Sequence, residues 1–226
     1  MQALSKLIFD PEALPVDSIA GEPAVDPERL TVLALRERFA RPPEWIREEF
    51  SERRMRKLAG EPTPAAVLMP LVVRENGLTM LLTQRTAHLN DHAGQVSLPG
   101  GRVDAVDTSA IDTALRETEE EVGLHRRHIE ILGTLPDYFT GTGFKVTPVV
   151  GLVHPPIELR ADPFEVAEIF EVPLDFLMNG MNHELRSYDY PEGGGRRSFY
   201  TMPYDRFFIW GATAGMLRNL FHFLRA

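Results

Sequence analysis

The narrowest demand on the fold comes from the stretch between Leu98 and Leu124. Its Gly100-Gly101 pair can bring backbone close to a neighbouring group, and a helix with recognisable ends follows it. Ser109 is placed to cap that helix, Asp112 lies three residues on, and Gly123 can stop it in a left-handed conformation after Val122. At about 100° per residue, Ile111, Ala114, Leu115, Thr118 and Val122 fall on one stripe that needs a partner surface. Glu117, Glu120 and Glu121 gather on a neighbouring face, while Glu119 points away from Glu117.

Carboxylates at these spacings repel one another by a few tenths of a kcal/mol per pair on an exposed helix, and by more when partly buried. A hard divalent cation reverses the sign. Mg2+ or Mn2+ takes oxygen ligands and keeps waters and phosphate oxygens in its shell, which an open carboxylate ridge allows. A solvated acidic helix face has the same spacing, so the ridge alone leaves both readings open. The glycine turn, whose carbonyl can complete a cation site, and Arg116 beside the ridge tilt the balance toward a cation.

The remainder predicts an α+β fold with a mixed sheet. Residues 1–26 hold Pro11, Pro15, Gly21 and Pro23 without a clear period and read as an extended or loosely packed arm. Asp26-Pro27-Glu28 opens a helix through Leu30, Leu33 and Phe39, and a second helix is expected from Glu44 toward Leu58. Arg53, Arg54, Arg56 and Lys57 form the densest basic cluster, which fits either a solvated helix end or contact with an anion. Gly60–Pro64 reads as a linker, dividing residues 1–60, an N-terminal arm with helices, from a main domain over 61–226. Strands are expected at Val67–Val73 and Leu78–Thr83 around an Asn76-Gly77 turn, and at Ile129–Leu135 and Phe144–Val153. A later pair is expected at Glu184–Tyr190 and Ser198–Met202, and a helix over Phe207–Leu224 with Trp210, Phe221 and Leu224 in the core.

Composition removes several classes of function. With 24 Lys and Arg against 33 Asp and Glu, the net charge is −9, which argues against extended nucleic-acid binding through phosphate neutralisation. There are 0 cysteines, so thiolate metal sites and catalytic thiols are absent and any metal takes oxygen or imidazole ligands. The longest apolar run, Ala65–Val73, is far shorter than a membrane span and is broken by Pro70. The N-terminus lacks a secretory pattern, so a soluble, cytoplasmic protein with no membrane partner is expected.

The same stretch resembles the Nudix box, through Arg116, Glu117, Glu120, Glu121, Gly123 and Leu124. Thr118 stands where the family has an apolar residue, and the front half fits only with Asp107 as the acidic residue, one position further from Arg116 than usual. Immediately upstream, Leu81-Leu82-Thr83-Gln84-Arg85 through His92, Gly94, Val96 and Pro99-Gly100-Gly101 resembles the signature of the coenzyme A pyrophosphatase subgroup of Nudix hydrolases. Asn90 replaces an Arg of that signature, which removes a phosphate donor, and Leu98 replaces a Phe. The runs Glu165–Leu174 and Phe208–Gly215 are similar to the same subgroup.

The resemblance implies a Nudix fold, with a mixed sheet between helices and an N-terminal extension. It also implies metal-dependent cleavage of coenzyme A to 4'-phosphopantetheine and 3',5'-adenosine bisphosphate. Another dinucleotide, such as ADP-ribose or NADH, and a non-catalytic nucleotide-binding module are the alternatives. On this basis Glu117 and Glu121 are expected to ligate Mg2+ or Mn2+, followed by Glu120 and the Gly101 carbonyl. Arg116 is expected to orient a carboxylate rather than touch substrate, and Arg85 either to bind phosphate or to pair with the acidic helix. His92 and Gly94 belong to the loop entering the glycine turn, as substrate contacts or as loop structure. The general base is Glu120, or else Glu165 or Glu168 on a later loop. A homodimer is compatible with the resemblance.

Overall fold

The computed structural model describes residues 10–48, 61–89, 93–189 and 195–226. Asn90, His92 and the basic cluster from Arg53 to Lys57 lie outside the described residues. In chain order the elements begin with strand β1 (Val16–Ile19), a 3-10 turn (Pro27–Leu30) and α1 (Val32–Ala40). Strands β2 (Thr63–Arg74), β3 (Gly77–Arg85), β4 (Val96–Ser97) and β5 (Gly100–Arg102) lead to α2 (Ala110–Val122). Then come β6 (Ile129–Thr134), β7 (Tyr138–Phe139), β8 (Phe144–Val153), β9 (Val166–Pro173) and α3 (Leu174–Leu177). The chain closes with β10 (Glu184–Asp189), β11 (Arg196–Tyr204), β12 (Phe207–Trp210) and α4 (Gly211–Arg225).

Two sheets result. The smaller one is antiparallel in the order β1-β10-β11-β12, and the larger runs β4-β3-β2-β8-β6, with β5, β7 and β9 paired onto β2, β8 and β3. The larger sheet is mixed, as expected, because β2 and β8 run parallel while its other pairs are antiparallel. Its centre is β2, which pairs with β8 over Thr63–Val72. On its other side β2 pairs with β3 at Leu71–Arg74 and with β5 at Ala65–Val67. The sheet therefore splits beside β2, and the split holds the Gly100-Gly101 turn under α2.

Helix α2 forms where its caps predict. The Ser109 hydroxyl accepts from the Asp112 amide, and Gly123 closes the helix at a φ of 68°. Its stripe packs on one face of the sheet, with Ala114 against Ala66, Leu68 and Val149. Val122 continues the contact against Val72, Leu81 and Val153. Thr118, the polar residue on that stripe, is fully buried and donates its hydroxyl to the Ala114 carbonyl at 2.6 Å. That bond satisfies the hydroxyl, so the position costs little relative to an apolar residue. The other face of the sheet meets α1, α3 and α4 in the main core, where Leu71, Met80, Leu82, Leu217 and Phe221 are fully buried. Each such side chain contributes about 1.5–3 kcal/mol by leaving water.

Several expectations need correction. The first helix is interrupted: Thr31 has an extended ψ of 155° and its hydroxyl caps a new helix at the Ala34 amide. Pro43–Glu48 is irregular, so the helix expected from Glu44 does not start there, and its later residues lie outside the described ones. The β2–β3 turn centres on Glu75-Asn76, with Gly77 entering the ladder at a φ of 119°. The final segment begins as strand β12, paired to β11 through Thr201–Tyr204, and turns helical only at Gly211. The arm is also less detached than its composition suggests, since β1 pairs with β10 and Val25 is 3% exposed.

Candidate active site

The ridge of α2 meets the glycine turn at the split in the sheet. Glu121 is 4% exposed, and one carboxylate oxygen accepts from the Gly100 amide at 3.1 Å. The nearest cation to its other oxygen is Arg85 Nη1 at 3.8 Å, too long for a strong pair. Burial pushes the Glu121 carboxyl up to about 8, and the neighbouring charges of Glu165 and Glu117 add to the rise. Glu117, one helical turn earlier, is also raised, again first by burial.

Both glycines are required by close approach. A Cβ on Gly100, whose φ is 152°, would lie 2.4 Å from the Ala66 carbonyl oxygen. A Cβ on Gly101 would lie 2.5 Å from the Glu117 carboxyl carbon, so that carboxylate rests in the space a side chain would fill.

Arg116 organises the outer part of the ridge. Its Nε and Nη2 donate to the two oxygens of Asp107 at 2.8 and 2.9 Å, a bidentate clamp. The clamp is reinforced because Asp107 also accepts from the Thr113 hydroxyl and the Asp104 amide. Hydrogen bonding to Arg116 holds the Asp107 carboxyl far below the usual range. The remaining Arg116 nitrogen lies 2.9 Å from Glu117 and 3.0 Å from Glu120, whose side chain is 60% exposed. Asp107 is thus turned toward Arg116 rather than toward the ridge. Arg116 orients a carboxylate, as expected, and the carboxylate it clamps in bidentate fashion is that of Asp107.

Of the two later glutamates, the structure brings one to the ridge. Glu165 sits half-buried in the turn before β9, and its charge acts on both Glu117 and Glu121. Glu168 lies on strand β9 rather than on a loop, with its carboxylate engaged by Arg206. The Nε of Arg85 is buried without a hydrogen-bond partner among the described residues. Gly94 has a φ of 72° and accepts from the Gln84 amide at its carbonyl. Lys145 pairs with Asp137 at 3.5 Å, and the Gly141-Thr142-Gly143 segment turns back into β8, with Thr140 bonded to the Phe144 amide.

The donor set is one of oxygens, and the Gly101 cradle brings Glu117 against the turn; both suit a hard cation. Among the described residues no group of three such side chains is already assembled as a cage. Arg116 holds Glu117 and Glu120, and Gly100 holds Glu121.

Residues 62–187 match the family model described as the NUDIX domain. The chain is 46% identical over 158 residues to the uncharacterized Nudix hydrolase NudL of Escherichia coli strain K12, covering 69% of this chain and 80% of that protein. A NudL of Citrobacter koseri is likewise 46% identical, over 157 residues and the same shares. Among solved structures, a binary complex of the C. elegans Ap4A hydrolase aligns with a TM-score of 0.44 and 19% identity, over 51% of this chain and 85% of that one. No helix among the described residues is long and apolar enough to cross a membrane. The domain match and the near-half identity to these hydrolases place the chain in the Nudix hydrolase family, as a pyrophosphohydrolase of nucleotide diphosphates.

Proposed function

We propose that this hydrolase cleaves the diphosphate bond of coenzyme A and of its thioesters, with Mg2+ or Mn2+ as cofactor. The products are 4'-phosphopantetheine and 3',5'-adenosine bisphosphate. The observation that carries this reading is the continuity of the Leu81–Gly101 run with the buried carboxylate of Glu121, which accepts from Gly100 at the end of that run.

Glu117, Glu121, Glu120 and the Gly101 carbonyl would hold the cation. When bound, it supplies a Lewis acid for the phosphoryl oxygens and lowers the pKa of attacking water. Asp107 fixes Arg116, and Arg116 in turn orients Glu117 and Glu120. Glu165 is the better-placed base, because its charge already acts on the ridge while Glu120 is largely exposed and paired. It takes a proton from water as the water oxygen bonds to phosphorus and the bridging oxygen leaves. Arg85, with His92 and Gly94 from the segment entering the turn, borders the diphosphate.

One observation favours a second reading. Asn90 stands where the subgroup signature has Arg, so a dinucleotide such as ADP-ribose or NADH remains a competing substrate. A substrate panel with Mg2+ or Mn2+, with product masses read in heavy-oxygen water, tests the assignment. The expected result is preferred turnover of coenzyme A, with the label in one of its two products. ADP-ribose turned over well above coenzyme A overturns it.

A further inference from the structure

Beside the ridge, the structure leaves a large aromatic ring in water. Phe164 is 65% exposed, yet its backbone is firmly held. Its carbonyl accepts from the Thr86 hydroxyl at 2.8 Å, and its amide donates to Asp162 Oδ1 at 2.8 Å. Asp162 is fastened to the end of α2 through its own amide, which donates to the Glu121 carbonyl at 2.8 Å. On the opposite side the Thr86 amide donates to the Glu165 carbonyl at 3.0 Å. The ring of exposed His88 packs against Phe164 with centroids 5.0 Å apart and planes tilted by 59°.

Phe164 is thus next in the chain to Glu165, and Thr86, which holds its carbonyl, is next to Arg85, with His88 two residues further on. Arg85 reaches toward Glu121, and the charge of Glu165 falls on Glu117 and Glu121. A Phe side chain left 65% exposed forgoes much of the burial an apolar ring can gain. The hydrogen bonds on both sides of the residue fix its backbone, and the His88 ring packs against the exposed side chain.

We infer that Phe164, with His88 behind it, is a stacking subsite for the nucleobase of the substrate. This rests on reading the ridge as the place where a nucleotide diphosphate is cleaved. In coenzyme A the planar aromatic part is a single adenine, joined to the diphosphate through a ribose. A ring fixed beside the phosphate-cleaving carboxylates offers its face to that part and to no other with equal gain. Phe164 acts on affinity for the nucleoside half and takes no part in bond cleavage.

The test is equilibrium binding, in the presence of Mn2+, of ADP, pyrophosphate and 4'-phosphopantetheine to wild type, Phe164→Ala and Phe164→Trp. Phe164→Ala should weaken ADP about tenfold, the scale of one base stack, and leave pyrophosphate unchanged. Phe164→Trp should restore ADP affinity and show indole fluorescence quenched by ADP but not by pyrophosphate. Equal losses for ADP and pyrophosphate would mean that the ring only supports the loop, and would overturn the subsite. A loss confined to 4'-phosphopantetheine would assign the rim to the other half of the substrate and overturn it as well. Wild type that binds pyrophosphate but not ADP refutes the base subsite and leaves the cation ridge standing. Wild type that binds neither refutes both.

Discussion

The cluster around Arg218 on α4 and the ridge around Glu121 on α2 both take carboxylates out of water, and they differ in what those carboxylates meet. Arg218 is 1% exposed and donates to Glu48 at 2.7 Å and to Glu22 at 2.8 and 3.0 Å. His183 accepts from the same guanidinium at 3.1 Å while its other nitrogen donates to the Leu177 carbonyl, which makes it neutral, and burial lowers it to about 4. Hydrogen bonding to Arg218 lowers the Glu22 carboxyl. For Glu48 burial acts upward, but bonds from His222 and Arg218 outweigh it and the net shift is down. On α2 the shifts of Glu117 and Glu121 are upward, with burial as the first cause. The Arg218 guanidinium hydrogen-bonds both carboxylates of its cluster and ties the arm to the last helix, whereas on the ridge Glu121 meets the Gly100 amide and a guanidinium no nearer than 3.8 Å.

The largest effect that separates the two is on activity. Glu121→Gln should lower kcat about 10³-fold, since the charge interaction lost is worth several kcal/mol, while the circular-dichroism spectrum stays that of the folded protein. Near-normal turnover would put Glu121 outside the cation site. Next comes Arg218→Met, which strands Glu22 and Glu48 and should cost about 3 kcal/mol in urea denaturation. Activity per folded molecule should be retained, because nothing on the ridge touches Arg218. A loss of stability under about 1 kcal/mol would show that the cluster does not hold the arm.

Asp107→Asn probes the clamp that connects the ridge to its loop. Removing one anionic partner of Arg116 should reduce kcat about 10- to 100-fold, as for groups that orient metal-site residues. Unchanged kcat would make Asp107 a loop-stabilising residue only. A further effect concerns pH. The Glu121 carboxyl is higher in the folded state than its ordinary 4.5, so the folded state binds the extra proton between about 4.5 and about 8. In that window cation-free protein should lose stability as pH rises, by at most about 1.4 kcal/mol per unit. Urea midpoints measured with chelator present, from pH 5 to pH 8, check the slope. In Glu121→Gln that contribution should be absent.

How much of this could be read in advance depends on the range of the interactions. Helix α2 and its Ser109 and Gly123 caps are set within a few turns, and the sequence carried them. Strand β8 forms over the expected Phe144–Val153 for the same reason, a continuous local pattern. Strand β12 hid inside an apparent helical period because its four residues are decided by pairing with β11. The Arg218 cluster left no local signal at all, since Glu22 and Glu48 lie more than 150 positions from their partner. Asp107 stood in the motif but faces Arg116, and neither its type nor its spacing shows which way it turns.

Thermal melts of wild type and Glu121→Gln at pH 8, each with chelator and with Mn2+, decide whether the ridge is an uncompensated site awaiting a cation. With chelator, Glu121→Gln should melt above wild type, because a buried carboxyl that ionises freely only on unfolding has been replaced by a neutral group that can still accept from Gly100. With Mn2+, wild type should rise and the variant should not. Wild type melting above the variant in chelator, or equal stabilisation of both by Mn2+, would contradict it.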